Sequence, residues 1–246
     1  MVKSNTERYI MILMSGRPFL LLAITALALV SPSPLQAWGW KDLALQQVPV
    51  PPDLPLDPAS TSADFDEDGI PESLTLIGGR ATLRTGNQIR WQSPLTWQVP
   101  QAQISDLNHD GLPEAILLVW RPFKPWPVDA WLPHGGRIES FHDSKGFSCH
   151  IILIGWKQDA FREVWAGSAM ADPVQHFVAA DLTGNGQPYL VTLEGAYDDP
   201  PSVPSRRLSV WEWNGFGFSI VFELADTFNL MGTAQLDDRQ LIILSH

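Results

Sequence analysis

The amino-acid sequence predicts an all-β fold built from about four repeated units of four strands. The first observation is an acidic loop that occurs twice in full and once more in altered form. The second is that short apolar or alternating segments, typical of β-strands, follow each loop. The third is that most other apolar segments pair as hairpins, whereas nothing after the N-terminal region has the pattern of a long helix.

The two full copies of the acidic loop occupy residues 64–72 and 106–114. Each has oxygen-bearing side chains at loop positions 1, 3 and 5, glycine at position 6 and glutamate at position 9. Alternate residues of a tight loop can point inward together, and glycine permits the sharp turn that closes the loop. The pattern gathers several hard oxygen atoms around one point, as Ca²⁺ requires.

The loops therefore predict two Ca²⁺ sites formed by side chains together with the backbone carbonyl at loop position 7. The predicted ligands of the first site are Asp64, Asp66, Asp68, Glu72 and the carbonyl oxygen of Ile70, and those of the second are Asp106, Asn108, Asp110, Glu114 and the carbonyl oxygen of Leu112. Because the first loop also carries Glu67, its mutually repelling carboxylates are expected to depend most on a cation.

The altered copy of the loop, residues 181–189, has lost most of its charge. It keeps one carboxylate, Asp181, and has Tyr189 where the full copies have glutamate. A single carboxylate supplies few of the oxygen ligands that Ca²⁺ takes. We expect this loop to hold its turn without tightly bound Ca²⁺.

Two other interpretations of the loops compete with calcium binding of this kind. An EF-hand is disfavoured because its bidentate acid lies at position 12, where this chain has Thr75 and Leu117. Acidic turns without any metal are the second alternative, since Asp, Asn and Gly are common turn residues. Two full copies at matching positions favour metal sites over simple turns.

The remaining strands can be placed in order along the chain. Residues 88–92 read as a short strand, 150–157 with 161–167 as a hairpin, and 208–213 with 218–224 as a hairpin joined at Asn214-Gly215. Residues 233–244 resemble the loop unit with a shortened loop. Successive units start about 42, 75 and 56 residues apart, which is typical of four-stranded blades with an insertion in the longest spacing.

These spacings predict a β-propeller-like array of about four four-stranded blades, either incomplete or closed by the N-terminal segment. Residues 38–50 are the candidate closing segment because they complete the last blade if they pair with it. A β-sandwich or an irregular stack of repeats stays open as an alternative fold.

The loops and their strand context resemble the FG-GAP and VCBS repeat family, which forms β-propeller blades in integrin α-chains and many bacterial secreted proteins. The resemblance covers residues 63–244, and its most specific residues are those of the two full loops. It implies Ca²⁺ bound between neighbouring strands of a blade. The chain lacks the Phe-Gly…Gly-Ala-Pro string of that family, and its third and fourth units depart from the loop pattern.

The N-terminus has the pattern of an export signal. Basic residues precede the apolar run of residues 18–30, and Ala37 provides a small residue for cleavage. An uncleaved N-terminal anchor is the alternative, and it is the only membrane association that the sequence suggests. In both cases we expect a secreted or extracytoplasmic protein, located in the periplasm or at the cell surface.

The sequence is accordingly divided into three parts. They are a signal peptide or anchor (1–37), a Pro-rich lead-in with the candidate closing strand (38–62), and a repeat domain (63–246) with an insertion at 121–149. The formal net charge of −11 disfavours nucleic acid as a partner, because an acidic surface repels phosphate backbones. Cys149 is the single cysteine, so no internal disulfide can form, and metal could stabilise the exported domain instead.

The insertion at 121–149 is rich in proline, tryptophan and histidine. Its histidines and Cys149 allow a transition-metal site, but they lack the close ligand spacings of such sites. We therefore expect Cys149 and His150 to begin a buried strand. Trp126 and Trp131 could stack on a sugar, whereas Trp156, Trp165, Trp211 and Trp213 are expected to pack between blades.

The leading functional hypothesis is an exported, calcium-binding, non-catalytic module that binds a protein or glycan or serves as a scaffold. The alternative is an enzyme acting on polysaccharide, with Glu194, Asp198 or Asp199 as its acid–base pair. A third hypothesis is a partner-dependent fragment, because the units that the sequence shows are few for a closed ring.

Overall fold

The computed structural model describes residues 35–50, 56–58, 60–124, 140–200 and 202–246. These residues form sixteen β-strands and contain no helix. The strands make four four-stranded antiparallel sheets arranged as a four-bladed β-propeller. The predicted all-β fold with about four blades is confirmed. Within the described ranges, no helix has the length and apolar character needed to cross a membrane.

The first two strands, β1 (Gln36–Lys41) and β2 (Ala44–Val48), form an N-terminal hairpin. Blade 1 follows, with β3 (Ser62–Ala63), β4 (Glu72–Ile77), β5 (Arg80–Thr85) and β6 (Gln88–Gln92). Blade 2 consists of β7 (Gln98–Ser105), β8 (Glu114–Pro122), β9 (Phe147–Lys157) and β10 (Ala160–Ala166). In both blades the strand order is the chain order.

Blade 3 consists of β11 (Val174–Ala180), β12 (Tyr189–Glu194), β13 (Arg207–Trp213) and β14 (Phe218–Leu224). Blade 4 begins with β15 (Leu230–Leu236) and β16 (Arg239–Ser245), and β1 and β2 complete it in the order β15-β16-β1-β2. Strand β1 pairs antiparallel with β16, with Trp38 opposite Ile242. The prediction that the N-terminal segment closes the ring is therefore confirmed.

Strand β1 starts before the boundary predicted for the signal peptide. Gln36 pairs with Leu244 and Ala37 pairs with Ile243, and the Ala37 side chain is fully buried. Cleavage after Ala37 would remove the first two residues of β1, which is an inner strand of this sheet. The cleavage site itself stays a prediction.

Most of the predicted hairpins lie where the sequence places them. Strands β9 and β10 form the first, β13 and β14 form the second, and β6 is the short strand. Residues 214–217 form the loop that the predicted strand bounds leave between them, and in it Asn214 N–H donates to the Gly217 carbonyl at 2.9 Å. The Asn214 side-chain oxygen accepts hydrogen bonds from the amides of Phe216 and Gly217, which stabilises this four-residue loop.

Apolar clusters fill the spaces between successive blades. Leu74 and Leu83 of blade 1 pack with Leu117 and Ile152 of blade 2. A second cluster joins blades 2 and 3 around Phe177, and a third joins blades 3 and 4 and includes Trp40. Between blades 4 and 1, Asp57 N–H donates to the Thr233 carbonyl at 2.7 Å.

Most of the large aromatic residues that were expected to pack between blades do so. Trp165 of blade 2 meets Trp213 of blade 3 with ring centroids 6.0 Å apart, and its indole N–H donates to the Phe216 carbonyl at 3.0 Å. Trp156 packs against the cluster between blades 1 and 2, and Trp211 against that between blades 2 and 3. Trp126, Trp131 and His134 lie outside the described residues.

Candidate metal loops

The three acidic loops share one end of the propeller. Each connects the first strand of a blade to its second strand: residues 64–71 connect β3 to β4, 106–113 connect β7 to β8, and 181–188 connect β11 to β12. In blade 4, the two-residue turn at Asp237 and Asp238 takes the same place, as expected for a shortened loop. This end of the propeller is called the loop face below.

A fully buried apolar residue at position 2 anchors each loop to the core. These residues are Phe65, Leu107 and Leu182, each with no exposed surface. Phe65 packs in the cluster between blades 1 and 2, Leu107 in that between blades 2 and 3, and Leu182 in that between blades 3 and 4. The loops are thereby held against the rigid part of the fold.

The glycines at loop position 6 have the backbone conformation that the sequence predicts. Gly69 has φ +84° and Gly111 has φ +91°, both in the left-handed region. A side chain is strained there, whereas glycine is not. Each glycine amide also donates to the acid at position 1, at 2.8 Å to Asp64 and 2.9 Å to Asp106.

The first loop brings three carboxylates together. Oxygen atoms of Asp64, Asp66 and Glu72 all lie within 4.8 Å of one another. Glu72 is fully buried and accepts hydrogen bonds from the Phe65 amide at 3.1 Å and the Thr85 hydroxyl at 2.8 Å. The Asp66 side chain is 7% exposed, and its Oδ1 is buried without a hydrogen-bond partner. Such an oxygen is costly to bury unless a donor or a cation satisfies it.

An arginine on β6, the last strand of the same blade, also reaches the first loop. Arg90 Nη2 lies 3.0 Å from Asp66 Oδ2, and Arg90 Nη1 lies 3.4 Å from Glu72 Oε1. The sequence-based prediction that the first loop depends most on a cation considered only the charges within that loop. Arg90 adds a positive charge beside them.

The second loop gathers its own three carboxylates. Oxygen atoms of Asp106, Asp110 and Glu114 lie within 4.8 Å of one another. Glu114 accepts a hydrogen bond from the Leu107 amide at 2.9 Å, and the side-chain amide of Asn108 donates to its other oxygen. Burial, together with the neighbouring charges of Asp110 and Asp106, raises the pKa of Glu114 to about 8, although the Leu107 and Asn108 amides oppose the rise. Without a cation this carboxyl group therefore favours its protonated form at neutral pH.

The two loops assemble different subsets of the predicted ligands. The acids at positions 1, 3 and 9 meet in the first loop, and those at positions 1, 5 and 9 meet in the second. Asp68 is not part of the first group, and its Oδ1 accepts a hydrogen bond from the Ile70 amide at 2.8 Å, as Asp110 Oδ1 does from the Leu112 amide at 3.0 Å. The roles of Asp68, Asn108 and the carbonyls of Ile70 and Leu112 as ligands stay predictions.

The third loop satisfies its single acid with backbone donors. Asp181 accepts hydrogen bonds from the amides of Thr183, Gly184, Asn185 and Gly186, at 2.7 to 3.3 Å. These amides compensate the carboxylate charge that a metal would otherwise balance. Among the described residues, Asp181 belongs to no group of acids, histidines or cysteines that could hold an ion.

The acids proposed as an enzyme pair are committed to other contacts. Glu194 is 1% exposed and forms an ion pair with Arg207. Asp198 accepts a hydrogen bond from the Ser144 amide at 2.8 Å, and Asp199 lies 2.7 Å from the Arg206 guanidinium. Two of the three acids are thus paired with an arginine, and the third accepts a backbone hydrogen bond.

Cys149 and His150 lie in β9 and are buried, as the sequence predicts. Burial raises the pKa of the Cys149 thiol to about 12, which disfavours the thiolate that a metal would bind. Among the described residues, no histidine or cysteine belongs to a group placed to hold an ion. His142 therefore has no metal partner in the part of the insertion that the structure describes.

A cleft of about 390 Å³ opens at the end of the propeller opposite the loop face, and Trp120, Tyr197 and Phe228 contribute to its lining. The Tyr197 hydroxyl donates to the Met170 carbonyl at 2.7 Å and accepts from the Cys149 amide at 3.2 Å. Burial lowers the pKa of His176, which also lines the cleft. These contacts hold the cleft wall in place.

Sequence reasoning missed Arg90, which contacts the first loop from 18 residues beyond Glu72. One signal for it was available: Arg90 is a basic residue in the short strand of the same unit as the most acidic loop. No protein-family model matches this chain, and no curated protein matches it in sequence. The resemblance to the FG-GAP and VCBS repeats thus rests on the loop residues.

Proposed function

We propose that this protein is an exported, calcium-binding β-propeller of the FG-GAP and VCBS type that acts as a non-catalytic binding or scaffold module. The observation that carries this proposal is the convergence of three carboxylates in each of two loops, within 4.8 Å. In the first loop, the buried and unpaired Oδ1 of Asp66 adds a ligand atom without a partner. Ca²⁺ is favoured because it accepts several oxygens in a flexible geometry.

The role of Ca²⁺ in this proposal is structural. In each loop the acid at position 1 follows the first strand of a blade, and the glutamate at position 9 begins the second strand. An ion held by both would tie the two strands together at the loop face. The metal would thus stabilise an exported domain that has no disulfide.

A module without catalysis fits the acids that lie away from the loops. Glu194 and Asp199 are each paired with an arginine, and Asp198 is held by a backbone amide. We propose that the rigid propeller presents a surface to a protein or glycan outside the cytoplasm, and that nucleic acid is not a partner because the chain is acidic.

Thermal unfolding with and without Ca²⁺ tests this proposal. Extracellular Ca²⁺ sites often have dissociation constants of about 10⁻⁴ M, so about 10 mM Ca²⁺ would stabilise the fold by roughly 2.7 kcal/mol per site. For a domain of this size we expect a rise in melting temperature of about 5–10 °C per site relative to chelator. The same concentration of Mg²⁺ should give a smaller rise, since Mg²⁺ demands a stricter geometry.

The matched variants separate loop binding from a general effect of charge. Combining Asp66→Ala with Asp110→Ala should abolish the rise. The control combines Asp159→Asn with Asp226→Asn, which removes two acids outside the loops and should keep it. An absent rise in the wild-type chain, or an equal loss in the control, would count against the calcium sites.

A further inference from the structure

We propose that Arg90 is an internal cation of the first loop, so that dependence on a divalent cation is concentrated in the second loop. This inference rests on the proposed function, because it assigns different roles to the two calcium loops. The charges within the loops alone predict that the first loop depends more on a divalent cation, and this inference reverses that order.

Contacts on two sides hold the guanidinium of Arg90 in place. On one side it lies 3.0 Å from Asp66 Oδ2, 3.4 Å from Glu72 Oε1 and 2.9 Å from the Thr85 hydroxyl. On the other side it lies over the aromatic ring of Trp156, with 5.1 Å between the guanidinium carbon and the ring centroid. The Arg90 side chain is 21% exposed, so water screens its charge only in part.

A β-bulge directs Arg90 toward the loop. Strand β6 shifts its register against β5 so that Ile89 pairs with Arg84 and Trp91 with Leu83, and Arg90 has no pairing partner between them. A bulge of this kind re-aims the side chain of the extra residue. Arg90 can thereby reach Glu72 at the start of β4.

The same bulge recurs in the next two blades with a different residue. In blade 2, Val164 is the unpaired residue between Glu163 and Trp165. In blade 3, Val221 is the unpaired residue between Ile220 and Phe222. Of these three equivalent positions, Arg90 alone is charged.

In blade 2, the position equivalent to Arg90 is therefore occupied by an apolar side chain, Val164. The backbone of Gly155 lies between Val164 and Glu114. Glycine has no Cβ, but one added at this position would lie 3.1 Å from Val164 Cγ1 and 3.5 Å from Glu114 Cγ. Among the described residues, no lysine, arginine or histidine forms an ion pair with Asp106, Asp110 or Glu114. The second loop thus lacks the positive charge that the first loop has within the protein.

The difference has a direct consequence for cation binding. In the first loop an incoming cation competes with a tethered guanidinium for Asp66 and Glu72 and meets its positive charge. In the second loop no arginine of the described residues has to be displaced, and the ion replaces only the proton that the raised pKa of Glu114 favours. Removing Arg90 should therefore strengthen Ca²⁺ binding at the first loop by about tenfold or more, because a like charge within a few ångströms opposes the ion.

Calorimetric titration of the purified full chain with CaCl₂ tests this inference. We expect wild type to show one stronger site, lost on Asp110→Asn, and one weaker or undetected site. Arg90→Gln should strengthen the weaker site at least about tenfold and leave the stronger one unchanged. The matched control is Arg162→Gln, which removes an exposed arginine from β10 and should alter neither site.

Thermal unfolding in chelator gives a second readout and confirms that the variants fold. Arg90→Gln should melt below Arg162→Gln in chelator, and Ca²⁺ should restore the lost stability. Arg90→Lys keeps the charge without the two-pronged contact and should fall between wild type and Arg90→Gln in both measurements.

The outcomes distinguish this inference from the proposed function. If wild type binds Ca²⁺ at both loops and Arg90→Gln leaves both sites unchanged or weakens the first, Arg90 is not an internal cation but the calcium sites stand. If only Arg90→Gln binds at the first loop, the inference is supported. If neither wild type nor Arg90→Gln binds Ca²⁺ at any concentration tested, both the inference and the calcium sites are overturned.

Discussion

The side-chain amide of Gln103 forms both hydrogen bonds of a strand pair with the backbone of Ala179. Its nitrogen donates to the Ala179 carbonyl at 3.2 Å, and its oxygen accepts from the Ala179 amide at 2.9 Å. Gln101 makes the same two bonds with Phe177, at 2.6 and 3.0 Å. Two glutamines of β7 thereby provide hydrogen-bond partners for backbone N–H and C=O groups on the inner edge of β11, where blades 2 and 3 meet.

Gln103→Ala should therefore destabilise the fold. The substitution leaves the carbonyl and the amide of the buried Ala179 without partners, which costs about 1–3 kcal/mol. Urea unfolding followed by tryptophan fluorescence measures the loss. Gln98→Ala, at an exposed position of the same strand, is the control and should change stability by less than about 0.5 kcal/mol. Equal effects of the two substitutions would contradict a structural role for the Gln103 amide.

The local pattern of the sequence was enough to predict the loops and most strands. Gly69 and Gly111 mark the turns because a left-handed backbone closes them, and the alternating or continuously apolar segments after them fit strands better than an amphipathic helix. The closing hairpin could be inferred because the last unit lacks strands that residues 38–50 supply. These features depend on neighbouring residues, so the sequence shows them directly.

Contacts between distant residues were beyond the sequence. Gln103 and Ala179 are 76 residues apart, and nothing local shows that a glutamine will imitate a strand. Arg90 reaches the first loop because a bulge shifts one residue, and a periodic pattern does not show a bulge of this kind. The proposed reversal of the loop ranking rests on this contact.

Leu107→Ala should loosen the second loop as well as the core. Leu107 is fully buried at loop position 2 and packs with Phe177 between blades 2 and 3. Replacing a buried leucine by alanine costs about 2–5 kcal/mol. Because Glu114 accepts a hydrogen bond from the Leu107 amide, a shift of this residue should also weaken Ca²⁺ binding. Thermal unfolding in chelator and calorimetric titration measure the two effects.

The control for this prediction is Leu112→Ala in the same loop. Leu112 is partly exposed, and the ligand predicted from it is its backbone carbonyl, which alanine also has. This substitution should change both stability and Ca²⁺ affinity little. If Leu112→Ala were as damaging as Leu107→Ala, the anchoring role of position 2 would be lost.

Trp40→Ala should weaken the closure of the ring. Trp40 lies in β1, is 7% exposed and packs on blade 3, with ring centroids 5.6 Å from Tyr189 and 6.1 Å from Phe222. Loss of a buried tryptophan costs about 3–5 kcal/mol. We expect faster hydrogen exchange in β16, which pairs with β1, as well as a lower melting temperature.

Leu43→Ala is the matched control for closure, since Leu43 lies in the turn between β1 and β2 and is 78% exposed. It should leave the exchange of β16 unchanged. A Trp40→Ala chain in which β16 exchanges as slowly as in wild type would show that the N-terminal hairpin does not hold the last blade.

His150 should make the fold less stable in mild acid. Burial lowers the pKa of His150 from 6.5 to about 4, and the nearby positive charge of Arg121 contributes in the same direction. The neutral ring is held on both sides, because one ring nitrogen lies 2.9 Å from the Gly167 carbonyl and the other 2.8 Å from the Ser148 hydroxyl. The Gly167 carbonyl can only accept a hydrogen bond, so Nδ1 of His150 carries the proton. Nε2 is then unprotonated and accepts from the Ser148 hydroxyl, which fits a neutral ring.

The sign of the effect follows from the lowered pKa. Above pH 6.5 the ring is neutral in both the folded and the unfolded chain, so it does not alter the free energy of unfolding. As the pH falls from 6.5 towards 4, only the unfolded chain takes up the proton, and stability drops by about 3 kcal/mol in total. Below about 4 the loss is complete, since both states are then protonated.

Urea unfolding in chelator between pH 7 and pH 5 measures this loss as the difference between wild type and His150→Gln, because Glu114, whose pKa is raised to about 8, contributes equally to both. His150→Gln removes the titrating ring and can still donate to the Gly167 carbonyl, so its stability should vary less with pH than that of wild type. His246→Gln, at the C-terminal residue, is the control and should keep the wild-type slope. If wild type and His150→Gln had the same slope between pH 6.5 and 5, the buried neutral ring would not be the source of acid sensitivity.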